Sequence, residues 1–342
     1  MKGISLVKLK KPEYGELDNL VLDKPDMALV RVEAVGLCGS DMHKIRSNIE
    51  PQTYLKTAIL GHEFAGSVVE INANDSSLKV GDKVTAIPLI YCQECNYCIQ
   101  GNYQFCENLK SIGKELDGAF AEYVLVPARN LRKIPNGLSI EEAALTDVAA
   151  VAVHSWNLSN KPLNKNILIY GDGAVALTYL QLVKQKNDVT VVGKHNQMFV
   201  ESLDSKFIIP RSINKLSSNI FDLIFEAIGK EQDKTVLDAI RLIKPKGQIL
   251  VSGVFPENFN GNIPLRDLFY KEALLLGTNS YSYYNGKNEF DIALELMKNG
   301  EIDMKKIITH ILPLSEFNRG VEIMSNKQAN TIKVLFKQDG IK

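Results

Sequence analysis

The chain has 342 residues, 45% of them hydrophobic, and its forty Lys plus Arg balance its forty Asp plus Glu. That length allows about two domains with substantial cores, and the absence of net charge excludes a general attraction to nucleic acid or to an anionic membrane surface. The opening MKGISLVKLKKPEYG turns charged before an apolar run long enough for a secretion signal forms, and no later stretch offers ~18 uninterrupted apolar residues. The expected location is the cytoplasm, where closely spaced cysteines are metal ligands or redox groups more often than disulfides.

The first informative element is a strand-like alternation, ALVRVEAV, with Val30, Val32 and Ala34 on one face. It runs into GLCGSDMHK, so Cys38 stands at a strand end where a loop can present it. ILGHEFAGSVVEI follows, with His62 and Glu63 just before a second β-rich run. A thiolate, an imidazole and a carboxylate together suit a zinc ion that keeps one position open, although singly each has an ordinary packing role. Next comes IPLIYCQECNYCIQGNYQFCENL, in which Cys92, Cys95, Cys98 and Cys106 form a C-x2-C-x2-C-x7-C array. Two-residue spacers let a turning backbone aim successive thiolates at one point about 2.3 Å away, and four thiolates leave no open position, so the array predicts a structural zinc in a lobe over 91–107. An iron–sulfur cluster is the competing metal; the lack of a following Cys-Pro and of a second cluster argues against it.

From about residue 149 apolar strands alternate with helical stretches, which predicts a parallel, doubly wound sheet of six strands. KNILIYGDGAVALTYLQLVKQKNDVTVVGKH reads strand, glycine turn, helix, strand. Gly171 permits the tight turn, Gly173 lets the backbone approach a pyrophosphate, Ala174 and Val175 open the helix, and Ala176 replaces the third glycine of a dinucleotide fingerprint. The phosphates would rest on the helix N-terminus. FDLIFEAIG, GQILVSGV and EALLLGT supply later strands. At the end of the second strand, where sites for NAD place an acid that holds the ribose 2′-hydroxyl, stand Gly193, Lys194 and His195. A missing carboxylate beside a cation predicts NADP(H) in preference to NAD(H).

Taken in order, CGSDMH, GHEFAG, VGDKV, the four-cysteine array and DGAFAEYVLVP resemble the zinc-dependent medium-chain dehydrogenase/reductase superfamily, of the alcohol and sorbitol dehydrogenase type, across essentially the whole chain. LGHEFAG and IPLIYC are most similar to polyol and sugar-alcohol-phosphate dehydrogenases such as galactitol 1-phosphate dehydrogenase. The resemblance implies a GroES-like, partly β-barrel catalytic domain (1–148 and 284–342) with a Rossmann nucleotide domain (149–283) inserted. It makes Cys38 and His62 ligands of a catalytic zinc, with Glu63 close enough to bind in some states. The remaining protein position falls at Asp147, where relatives usually carry Cys or Glu. Threonine dehydrogenases resemble this chain in having Asp there, and the shorter side chain leaves direct ligation, ligation through water and a plain helix-flanking role all open. Asp41 would accept a hydrogen bond from a ligating histidine. Ser40 and His43 would pass the substrate's hydroxyl proton toward solvent through the cofactor ribose. Lys333, in NTIKVLF, resembles the basic position that relatives direct at the pyrophosphate.

The expected activity is hydride transfer between NADP(H) and a polyol, a sugar alcohol with or without phosphate, or a secondary alcohol/ketone pair, with two zinc ions per chain and a homodimer or homotetramer as the assembly. A threonine- or butanediol-type dehydrogenase using NAD(H), and a non-catalytic NADP(H)-binding sensor, are the alternatives. His154 reads as packed, and His310 receives no role. Residues 279–290 read as the crossing back between domains, with Tyr281, Tyr283 and Tyr284 bordering substrate or a subunit interface, or simply lying on the surface.

Overall fold

The computed structural model describes residues 1–8, 11–46, 59–73, 77–229, 231–254, 262–326 and 330–340. After an N-terminal hairpin of Lys2–Lys8 with Lys11–Glu16, five strands belong to the first large sheet: β1 (Met27–Gly36), β2 (Glu63–Asn72), β3 (Lys83–Ala86), β4 (Tyr123–Pro127) and β5 (Leu131–Lys133). Val30, Val32 and Ala34 of β1 are all fully buried, as the alternation requires. β1 pairs antiparallel with β2 and β4, and the register sets Gly36, the last residue of β1, opposite Glu63, the first of β2. The residues just outside this pair, Cys38 and His62, therefore emerge at the same end of the sheet. Helix α1 (Gly39–Arg46) starts immediately after Cys38.

Six strands build the second sheet: β6 (Asn166–Tyr170), β7 (Asp188–Val192), β8 (Lys206–Ile208), β9 (Phe221–Glu226), β10 (Ile243–Val251) and β11 (Leu274–Gly277). All pairs are parallel and the order is β8–β7–β6–β9–β10–β11. Parallel strands covered on both faces read as continuous apolar runs, and Ile167, Leu168 and Ile169 of β6 are fully buried. The order reverses direction between β6 and β9, which leaves a crevice at their carboxyl ends. The short β8 carries too little apolar sequence to stand out before folding. Two last strands, β12 (Ile308–Pro313) and β13 (Lys333–Lys337), return to the first sheet, where β13 pairs with β1.

Helix α2 (Ile140–Ala144) begins with a reciprocal cap: Ser139 Oγ accepts from the Glu142 amide at 3.2 Å, and Glu142 Oε2 accepts from the Ser139 amide at 3.0 Å. It delivers the chain into α3 (Thr146–Leu158), whose first turn carries Asp147. Helix α4 (Ala174–Val183) follows the glycine turn after β6, and α5 (Glu289–Lys298) follows a hairpin of Tyr283–Tyr284 with Lys287–Asn288. One apolar cluster joins Ala34 and Ala65 of the first sheet, α3, and Ile167, Val191 and Phe225 of the second. Both sheets thus share a core, and the carboxyl end of β6 faces α1. Among the described residues no helix is long and apolar enough to cross a membrane.

Candidate active site

The four-cysteine lobe is held by its own backbone. The Cys92 amide donates to Cys106 Sγ at 3.3 Å, Cys95 to Cys92 Sγ at 3.4 Å, and Asn108 to Cys106 Sγ at 3.4 Å. Sulfur–sulfur separations are 3.5 Å for Cys95–Cys98 and Cys92–Cys106, and 3.9 Å for Cys92–Cys98. A tetrahedron with bonds of about 2.3 Å places its sulfurs about 3.8 Å apart, so the donors fit one zinc ion. An iron–sulfur cluster would put its own irons and sulfides between the cysteines and spread them further. Amides of Glu107 and Cys98 lower the Cys95 thiol to about 6, while burial pushes Cys98 up to about 12. The lobe leans on Tyr103, fully buried and stacked on Tyr91 with centroids 4.3 Å apart.

The second donor set comes from the two strand ends. Ligand atoms of Cys38, His62 and Glu63 lie within 4.8 Å of one another, with Cys38 and His62 half-buried and Glu63 buried. Asp41, fully buried, accepts from the Cys38 amide at 3.1 Å with Oδ2 and sets Oδ1 at 3.6 Å from His62 Nδ1. Asp41 Oδ1 has no hydrogen bond, which leaves it free to hold a ring N–H once His62 ligates. Burial opposes charge on both groups. The pair overrides it: Asp41 stays below the ordinary carboxylate range beside His62, and His62 is lifted well above the ordinary imidazole range by Asp41 and Cys38. Three donors of three kinds, one fewer than a closed tetrahedral site needs, and a carboxylate behind the histidine fit a zinc ion that accepts a further ligand.

Asp147 is not part of that tight group, yet it is half-buried on the first turn of α3 and feels the charges of His62, Glu63 and Lys333. Burial, with help from Glu63, raises its carboxyl. Tyr281 donates its hydroxyl to Asp147 Oδ1 at 2.6 Å and is itself fully buried. Of the three tyrosines expected to border substrate or a subunit interface, or to lie on the surface, Tyr281 is an interior partner of Asp147. Lys333 is a correction. Instead of facing a pyrophosphate it is 3% exposed, with Nζ at 2.6 Å from Glu63 Oε2 and 3.2 Å from the Leu37 carbonyl. Strand β13 beside β1 puts it there, because a cation is the one group that compensates the buried Glu63. Gly36 leaves room for this carboxylate: a Cβ there would stand 2.4 Å from Glu63 Oε2.

A cleft of about 360 Å³ separates α1 from the nucleotide sheet. Gly39, Met42, His43 and Arg46 line one wall; Gly171, Asp172, Gly173, Gly193, Lys194 and His195 line the other. His43 thus faces the glycine turn. Ser40, half-buried on the first turn of α1, is not among the lining residues. Gly171 adopts φ +114°, and a Cβ on Gly173 would meet nothing within 4 Å, which leaves the helix amides approachable. Ala174 and Val175 are half-buried behind it, with Ala176 buried. A larger groove of about 890 Å³ along Pro25–Met27, Pro127–Arg129 and Leu131–Lys133 holds none of these groups. His154 is packed, bonded to Glu289 at 2.7 Å, and His310 lies on β12 beside Thr309.

The expected gap at the ribose end of the cleft is filled. Asp172, between the two glycines, accepts at Oδ2 from the amides of Lys194 (2.8 Å), His195 (2.6 Å) and Asn196 (3.0 Å). The premise that Gly193 leaves this corner without a carboxylate does not hold. The acid between the two glycines was the available signal in the sequence, away from the end of the second strand where such an acid is sought.

This fold and these two donor sets agree with the comparisons. The Alcohol dehydrogenase GroES-like domain family matches residues 24–136. D-arabitol-phosphate dehydrogenase of Enterococcus avium is 29% identical, covering 99% of this chain and 98% of its own. L-threonine 3-dehydrogenase of Caldanaerobacter subterraneus subsp. tengcongensis is 29% identical, covering 97% and 95%. A zinc-binding dehydrogenase from Sinorhizobium meliloti, solved bound to NADP, superposes with a TM-score of 0.85 at 26% identity, covering 98% of each chain. Residues 24–136 thus correspond to an alcohol dehydrogenase GroES-like domain, and over nearly its whole length the chain is similar to zinc-type polyol and alcohol dehydrogenases. It is an oxidoreductase acting on CH–OH donors.

Proposed function

We propose that the chain moves hydride between a nicotinamide dinucleotide and a polyol or sugar alcohol, phosphorylated or not, or a related secondary alcohol and its ketone. The carrying observation is the donor set Cys38–His62–Glu63 at the strand ends, next to the loop that starts α1, whose far side lines the dinucleotide cleft. The sugar-alcohol phosphate named for the Enterococcus avium relative supports that substrate class. A threonine- or butanediol-type activity is the second reading, favoured by the acid at Asp147 and by the threonine-specific relative.

Zinc held by Cys38 and His62, with Glu63 or Asp147 completing the set, would supply a Lewis acid for the hydroxyl oxygen, and the nicotinamide the hydride acceptor. The chain's own groups do the rest. Asp41 fixes the orientation and tautomer of His62. Lys333 balances Glu63 so that a carboxylate can persist in the interior. His43, exposed on the cleft wall, takes the released proton to solvent, with Ser40 three residues earlier on α1 as the donor to that route. The four-cysteine lobe would hold the second zinc. Residues 1–148 with 284–342 would form the catalytic unit and 149–283 the nucleotide unit. Lys194 and His195 support NADP(H) as the cofactor, and the Asp172 carboxylate beside them weighs against it.

The deciding experiment is metal analysis joined to a substrate panel: polyol phosphates, free polyols, threonine and butanediol, each with both dinucleotides, followed by absorbance of the reduced cofactor. Two zinc ions per chain and turnover on a polyol or its phosphate are expected. One ion, bound only by the four cysteines, with no turnover on any substrate, would overturn the reading.

A further inference from the structure

We propose that Asp172 reads the cofactor's adenosine ribose and makes the chain selective for NAD(H), a deepening that rests on the dinucleotide reading above. The acid expected at the end of β7 is supplied instead from the glycine turn after β6. Its carboxylate reaches across to the end of β7: a Cβ on Gly193 would stand 2.6 Å from Asp172 Oδ2 and 2.7 Å from Asp172 Cβ. Gly193 is therefore glycine because Asp172, with the Phe207 ring at 2.6 Å on the other side, occupies the space its side chain would need. The cross-link is closed a second time by Asn196, whose Nδ2 donates to the Asp172 carbonyl at 2.7 Å.

Two consequences decide between cofactors. Oδ2 takes the three amides of residues 194–196, and Oδ1 receives no hydrogen bond among the described residues while the side chain remains half-exposed on the cleft. A ribose 2′-hydroxyl can donate to Oδ1. A 2′-phosphate has no proton to give at neutral pH, brings about two negative charges against a fixed one, and finds the amides that would cradle it already used by Oδ2. Lys194 does not reverse this balance, since its Nζ lies 3.6 Å from Glu231 Oε1 at the same corner.

The test is calorimetric titration of the zinc-loaded protein with 5′-AMP, 2′,5′-ADP, NADH and NADPH, repeated on Asp172→Asn and Lys194→Ala. Asparagine keeps an oxygen for the three amides, removes the charge and turns the remaining acceptor into a donor. The wild type should bind 5′-AMP at least tenfold more tightly than 2′,5′-ADP, with NADH and NADPH in the same order. D172N should shrink that ratio to near unity or reverse it, chiefly by tighter 2′,5′-ADP binding, and K194A should leave the ratio within about twofold. Preference of the wild type for 2′,5′-ADP, an unchanged ratio in D172N, or a selective loss of 2′,5′-ADP binding in K194A each overturns the assignment. Should D172N fail to fold, the wild-type ratio and K194A still decide. Absence of binding by all four probes sinks the dinucleotide reading itself, an outcome distinct from a reversed ratio.

Discussion

The two cysteine-bearing sites are built in opposite ways. The four-cysteine lobe draws all its donors from residues 92–106 and orients them with neighbouring amides of the same loop. The other set takes Cys38 and His62 from two strand ends, then Asp147 and Tyr281 from α3 and the segment before α5, and Lys333 from β13. A closed site needs only a turning backbone. An open one needs walls that leave a vacancy and buried charges that balance around it, and those come from distant parts of the chain.

Removing a donor separates the two sites most sharply. Cys38→Ser or His62→Ala should reduce turnover to the detection limit while one zinc ion stays bound and the melting transition barely moves, as metal analysis and calorimetry will record. Cys95→Ser should do the reverse in kind: loss of the lobe's metal should lower stability by several kcal/mol, with activity falling because the lobe and its Tyr103 support unfold. Denaturant titration of that variant with and without added zinc measures it.

Changes in the surroundings test how far the open site depends on remote groups. Lys333→Met strands the buried Glu63 charge and should cost about 3–5 kcal/mol in urea unfolding. Tyr281→Phe removes one hydrogen bond to the half-buried Asp147 carboxylate, for about 1–2 kcal/mol. At the small end, away from either site, burial pushes Glu33 up but the Lys83 ammonium and the Ser67 hydroxyl bring it below the ordinary carboxylate range. A depressed carboxyl adds stability above its unfolded value and loses it as pH falls through the folded one. Lys83→Met should therefore cost under about 1 kcal/mol near neutrality, and its unfolding curve should converge on the wild type in acid.

What could be read before folding follows from range. The alternation of Val30, Val32 and Ala34 and the apolar runs of β6, β9 and β10 report burial directly, so the centres of both sheets were legible, whereas the equally apolar β11 lies at the sheet edge with Leu274 exposed. The four cysteines were legible because their spacing is itself their geometry. Asp41 was placed behind His62 by resemblance, and the fold sets it there. Lys333 was misread because its partner lies 270 residues away. Tyr281 was read as a boundary residue because nothing in NSYSYY marks which tyrosine turns inward. The expectation of NADP(H) rested on a missing acid at Gly193 together with the cation beside it, and the first of these premises fails because occupancy of that corner belongs to whichever side chain reaches it, here Asp172.

The sequence by itself determined the local facts: the strand and helix periods, the glycine turn, and a metal lobe whose donors are neighbours along the chain. The tertiary structure alone decided which charges share the interior: Lys333 with Glu63, Tyr281 with Asp147, and Asp172 with the amides of residues 194–196. The reason is that burying a charge is costly without a partner, and the partner that compensates it is chosen by proximity in space, which no spacing along the chain records.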